Sequence, residues 1–84
     1  MSDGVPIMID ARRMQPPEPM ERVLDALDLL EVGNEIHLVI NREPVPLYNV
    51  LKRNGYTHVT QRDADDTFLV RIMHAARKDA APKG

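Results

Sequence analysis

The side chains best placed to do chemistry form a charged set that accompanies two groups of prolines. Asp10, Arg12 and Arg13 precede Pro16-Pro17-Glu18-Pro19, and Asn41, Arg42 and Glu43 precede Pro44. Guanidinium groups in such a set can hold a phosphate, a carboxylate or an acidic side chain through forked N–H donors. The same arginines can instead pair with Asp10, Glu18 and Glu43, the ordinary arrangement of mixed surface charge. Nucleophilic chemistry has less support. The chain contains no cysteine, which removes disulfides, thiolate metal ligands and any sulfur nucleophile. The hydroxyls of Ser2, Thr57, Thr60 and Thr67 fall in no nucleophile motif, and the four glycines are too scattered to cradle a phosphate. The carboxylates are spread along helix faces and a turn instead of converging as an acid and a base. A domain this small also leaves little room for an enclosed pocket. The expectation is a chain that is not an enzyme, with no catalytic residues and no cofactor.

The three histidines, His37, His58 and His74, fall on three different predicted strands. With Ile36, Leu38, Ile40 and Val59 facing inward, alternation turns His37 and His58 toward the opposite face. His74 shares the inward parity of Phe68, Val70 and Ile72. No His-x-x-x-His pair occurs on a helix, and a set divided between two faces makes a poor tetrahedral site. No metal ligands are assigned. A weak metal-linked role through His37 or His58 is the alternative that the histidines leave open.

These groups must be positioned by a small number of elements. At 84 residues, 43% apolar and 29% charged, the chain has the make-up of one ordinary globular domain. A net charge of −2 gives no basic field for nucleic acid or anionic lipid. No apolar run approaches the ~20 residues that span a bilayer, and Met1-Ser2-Asp3-Gly4 does not open a signal peptide. The expectation is a cytoplasmic protein without nucleic-acid or membrane partners.

Residues 5–10 read as a strand, with Pro6 near its start, where a missing N–H does least harm. A helix begins at Pro17 or Pro19 and carries Met20, Val23, Leu24, Leu27 and Leu30 on one buried face, stopping at Gly33-Asn34. Residues 35–41 are the clearest strand. Glu43-Pro44 opens a second helix with Leu47, Tyr48, Val50 and Leu51, ended by Asn54-Gly55. Residues 56–62 and 67–74 read as strands joined by the polar link at 63–66, a hairpin. One domain over residues 5–74 results, with flexible termini at 1–4 and 75–84. The order β-α-β-α-β-β predicts a two-layer α/β (α+β) sandwich with two helices on one face of a mixed four-stranded sheet. Val39, Leu69 and Met73, with His37 and Arg71, then project from the open face.

With this layout in place, the chain resembles the SirA-like, or TusA-like, sulfur-carrier family. That family joins a β-α-β-α-β-β sandwich to a Cys-Pro-x-Pro motif at the start of its first helix. Pro17 and Pro19 match the two prolines, and Pro16 stands where the cysteine would be. A closer similarity is to an uncharacterised bacterial subfamily that lacks the cysteine. It is carried by residues 16–19, by Arg-Glu-Pro-Val-Pro-Leu-Tyr at 42–48 and by Gly55-Tyr56. The resemblance implies the fold, and it implies an ancestry in sulfur transfer without the means to perform it. A persulfide relay needs a thiolate, which proline cannot supply.

The functional expectation is a non-enzymatic binding or regulatory module, with an unknown protein as its partner. If both helices follow parallel strands, their N-termini emerge at one end of the sheet. An acidic partner or a small anion would bind there, at Asp10, Arg12, Arg13, Pro16, Pro17, Glu18, Arg42 and Glu43. The alternative that the resemblance implies is an accessory protein in sulfur-transfer or redox metabolism, docking to a sulfurtransferase or redox enzyme.

Overall fold

The computed structural model describes residues 5–63 and 65–75. Along the chain these form β1 (Ile7–Asp10), α1 (Glu18–Leu27), β2 (Ile36–Ile40), α2 (Val45–Arg53), β3 (Tyr56–Arg62) and β4 (Phe68–His74). The termini expected to be flexible, 1–4 and 75–84, lie outside the described residues except for Ala75. Ala75 is tied down, its N–H donating to the Gly55 carbonyl at 2.9 Å.

The sheet order is β1-β2-β4-β3. β1 and β2 are parallel, and β4 is antiparallel to both β2 and β3. β3 therefore runs in the same direction as β2 but is separated from it by the returning strand. Strict alternation puts Ile36, Leu38, Val70 and Ile72 of the two central strands fully inside. Their register partners Ile7 and Ile9 extend the same face onto β1. Val23 and Leu27 of α1, with Leu47 and Leu51 of α2, close one hydrophobic core against this face. Each such side chain contributes about 1.5–3 kcal/mol on burial. The architecture is the expected two-layer sandwich with both helices on one side.

Two local expectations are corrected. α1 ends at Leu27, not at Gly33. Past it the chain tightens into i→i−3 bonds, Leu29 to Ala26 at 2.9 Å and Leu30 to Leu27 at 3.2 Å. That tighter winding returns Leu30 to the core, while Leu24, read as part of the buried stripe, is 40% exposed. Gly33 then turns the chain with φ of 95°, a conformation that favours glycine.

The faces of β3 are also the reverse of those expected. Val59 lies opposite Arg71 on the open face and is 47% exposed, whereas His58 lies opposite Ile72 on the helix side. The cause is α2. It covers this edge strand with Tyr48, whose ring stacks on His58 at 3.8 Å and whose hydroxyl hydrogen-bonds Thr60 at 2.7 Å. A ring stack and a hydroxyl pair fill the inner face where an aliphatic side chain was expected.

Candidate functional site

Because β1 and β2 are parallel, the helices that follow them start at the same end of the sheet. Both starts are built alike. Pro17 and Pro44 are the N-cap residues, and Pro19 and Pro46 follow in the first turn. Proline suits these positions because its φ is preset and its missing N–H has no intrahelical acceptor. Neither cap has a side-chain hydrogen bond. The peptide bond between Pro16 and Pro17 is cis.

The free donors of these first turns are mostly engaged within the chain. Glu18 donates to Gln15 at 2.9 Å and Glu21 to Pro17 at 3.1 Å, while Val45 donates to Glu43 and Leu47 to Pro44, each at 2.9 Å. Pro19 and Pro46 have no N–H to offer. The helix ends thus present few free N–H groups to an anion, unlike a glycine-rich phosphate loop.

The two loops that carry the arginines are latched together. Ala11 donates its N–H to the Val39 carbonyl at 2.7 Å, and Asn41 donates Nδ2 to the Arg12 carbonyl at 2.8 Å. Arg12 is forked onto Asp10, Nε to Oδ1 at 2.9 Å and Nη2 to Oδ2 at 2.8 Å. This guanidinium holds the Asp10 carboxyl at about 2, well below the usual carboxylate range. Glu18 has only a loose contact to Arg22 at 3.9 Å, and Glu43 accepts from the Tyr48 hydroxyl at 3.2 Å. Arg13 and Arg42 have no carboxylate partner among the described residues.

Between the two helix starts lies an open cleft of about 460 Å³. Leu38 and Ile40 of β2 form its floor. Pro16, Pro17, Pro19 and Met20 form one wall, and Pro44, Pro46 and Leu47 the other, with Arg42 and Glu43 at the rim. It lies where α1 packs over β1 and β2 while α2 packs over β3, with proline rings lining both helix starts. A second hollow of about 230 Å³ adjoins it along Pro16, Pro19, Ile40 and Arg42. A third, of about 390 Å³, is lined by Asp10, Arg12, Arg13, Asn41 and Thr67.

Seven of the eight residues expected at the site therefore border these hollows, and Glu18 does not. The apolar character of the main cleft is absent from that expectation, as are Pro19, Met20, Leu38, Ile40, Pro44, Pro46 and Leu47. A signal for it exists in the sequence: Pro17-Glu18-Pro19 is repeated as Pro44-Val45-Pro46, marking two like helix starts.

The histidines are occupied separately. His37 bonds Glu35 Oε1 at 2.8 Å on the open face, His58 stacks on Tyr48, and His74 bonds the Leu30 carbonyl at 2.9 Å. His37 and His58 thus lie on opposite faces, which removes the basis for a shared site. Among the described residues no three histidine, aspartate or glutamate side chains are grouped to hold a metal. No described helix is long and apolar enough to cross a membrane.

A family model described as an uncharacterized conserved protein, DUF2249, matches residues 8–74. The chain is similar in structure to a SirA-like protein from Desulfitobacterium hafniense, with a TM-score of 0.73 and 23% sequence identity. That similarity covers 83% of this chain and 99% of the other. At this identity the likeness establishes the fold. No curated protein matches the chain.

Proposed function

The chain belongs to the DUF2249 family of uncharacterized conserved proteins, and from that premise we propose that it is a non-enzymatic docking module whose cleft between the two helix starts receives part of a partner protein. The observation that carries the reading is the cleft itself, apolar on its floor and walls and placed between two proline-opened helices. An open apolar hollow with charged groups at its rim suits recognition of a protein segment. It holds no nucleophile, since Pro16 stands at its lip in place of a thiol. A free small anion is the less favoured ligand, because most of the first-turn N–H groups are engaged or missing.

Site-specific photo-crosslinking tests the reading. A photoreactive residue at exposed Glu18, beside the cleft, is expected to trap a discrete protein adduct in native extract, and one at Val59 on the open face is not. Adducts from Val59 alone, or none from Glu18, refute the docking site. A sulfurtransferase or redox enzyme in the adduct would place the docking in sulfur or redox metabolism.

A further inference from the structure

The two edges of the sheet are finished differently. Strand order puts β1 and β3 on the outside. β1 has four residues, follows Pro6 and ends in Asp10, whose carboxylate also takes the Arg12 N–H at 3.2 Å. A short run, a proline and a charge all keep a second strand from adding to an edge. β3 is seven residues long and holds no proline. Its one permanently charged side chain, Arg62, is already paired with Asp66.

The ladder between β3 and β4 fixes which backbone groups of β3 are free. Ala75 donates to the Gly55 carbonyl at 2.9 Å and Asp63 to the Thr67 carbonyl at 2.7 Å, and both pairs continue the β3–β4 register. Hydrogen-bonded and non-hydrogen-bonded pairs alternate along an antiparallel ladder, so Thr57, Val59 and Gln61 bond to β4. Tyr56, His58, Thr60 and Arg62 turn their N–H and C=O groups outward, and among the described residues those groups have no partner. We infer that this edge pairs with the same edge of a second copy of the chain, antiparallel, about a two-fold axis at Val59.

The strand is complementary to itself in that register. Tyr56 lies opposite Arg62 and His58 opposite Thr60 in both directions, which uses every outward N–H and C=O of the strand and sets no like charges opposite one another. Moving the axis to His58 or Thr60 leaves an outward residue of each copy unpaired. On the open face Val59, 47% exposed in the single chain, meets its own copy as a non-hydrogen-bonded pair, where side chains approach closest, flanked by Thr57 opposite Gln61. The helices fit as well. Strands lie ~4.8 Å apart and packed helices ~8–10 Å apart, so the spacing of two helices over four strands continues across the axis. The joined sheet then ends in two blunted β1 edges. Placing β3 of one copy on β1 of the next would meet Pro6 and Asp10, leave a β3 edge open and build filaments.

The pairing rests on β3 and is independent of the cleft. A photoreactive group at Val59 would meet only the second copy, giving an adduct of twice the chain's mass that is distinct from any foreign partner. Sedimentation equilibrium of the whole chain should show a two-chain species. Val59→Lys and Val59→Glu, which set like charges at the axis, should each weaken it at least tenfold with unchanged far-UV circular dichroism, and mixing the two variants should restore it. The chain has no cysteine, so an introduced one reports on the axis alone. Val59→Cys should give disulfide-linked pairs under mild oxidation, because facing Cα atoms of a non-hydrogen-bonded pair are ~4.5 Å apart, within disulfide reach. Gln61→Cys should not, since its copy lies four residues further along, more than ~13 Å away. A chain that stays single at millimolar concentration, dimers indifferent to both charges, or a Val59→Cys that links no faster than Gln61→Cys would each overturn the inference.

Discussion

Glu35 offers a measurable link between one carboxylate and the stability of the whole sheet. It stands just before β2 and reaches the open face, where it accepts from Arg71 Nε and Nη2, each at 3.2 Å, and from His37 Nε2 at 2.8 Å. Arg71 first and His37 second hold its carboxyl down at about 2, against an ordinary value of 4.5. At ~1.36 kcal/mol per pKa unit the difference sets a ceiling of about 3.4 kcal/mol. The Glu35 side chain is 30% exposed, so water screens the pair, and about 1–2 kcal/mol is the reasonable share. A carboxyl whose folded pKa is depressed stabilises the fold above its unfolded pKa, and that stabilisation is lost as pH falls through the folded value. Glu35→Gln should therefore lower stability at pH 7 by about 1–2 kcal/mol. With a urea slope of about 1 kcal/mol/M for a chain of this size, the midpoint shifts by about 1–2 M. Far-UV circular dichroism through a urea series suits a chain without tryptophan. The gap between the two proteins should narrow below about pH 4.5 and close near pH 2, where the protonated acid resembles the amide. Asp10, also depressed to about 2, is present in both proteins and cancels from the comparison. A gap that stays constant from pH 7 to pH 2, or coincident midpoints at pH 7, would refute the reasoning.

Three further outcomes are expected of the fold. Tyr48→Phe keeps the ring on His58 but removes the hydroxyl from Thr60 and Glu43; chemical denaturation should show a loss of about 1 kcal/mol. Leu51→Ala opens a void at a fully buried position of α2 and should cost about 2–5 kcal/mol by the same measurement. Gly33→Ala meets no atom within 4 Å of the added Cβ, yet its φ is 95°; thermal unfolding should show a loss of about 1 kcal/mol, all of it from the backbone.

Pro16 gives the cleft its chemical character. In the family that the chain resembles, a cysteine opens the first helix, and a helix N-terminus favours a thiolate. Here a pyrrolidine ring occupies that position, the next prolines continue the apolar wall, and Pro46 faces them from α2. The two helix starts thus frame an open apolar cleft.

The element order, the helix starts and the inward rows of β2 and β4 were legible in the chain because they rest on local chemistry. Proline presets φ, glycine admits a positive φ, and alternation with period two assigns the sides of a strand that is covered along its length. The shared end of Asp10, Arg12, Arg13, Arg42 and Glu43 was legible for the same reason, once two helices followed two parallel strands. The reversed face of β3 was not, because it depends on Tyr48, a residue of another element that stacks on His58 and bonds Thr60. Nor was the partition of the arginines. Arg12 and Arg13 are adjacent in sequence, yet one is forked onto Asp10 and the other has no carboxylate partner among the described residues. The apolar cleft belongs to the same class. Its floor comes from β2, and its walls come from two helix starts separated by more than twenty residues. Periodicity reports which residues leave water, but the gap that opens between two packed helices is set by where they meet the sheet.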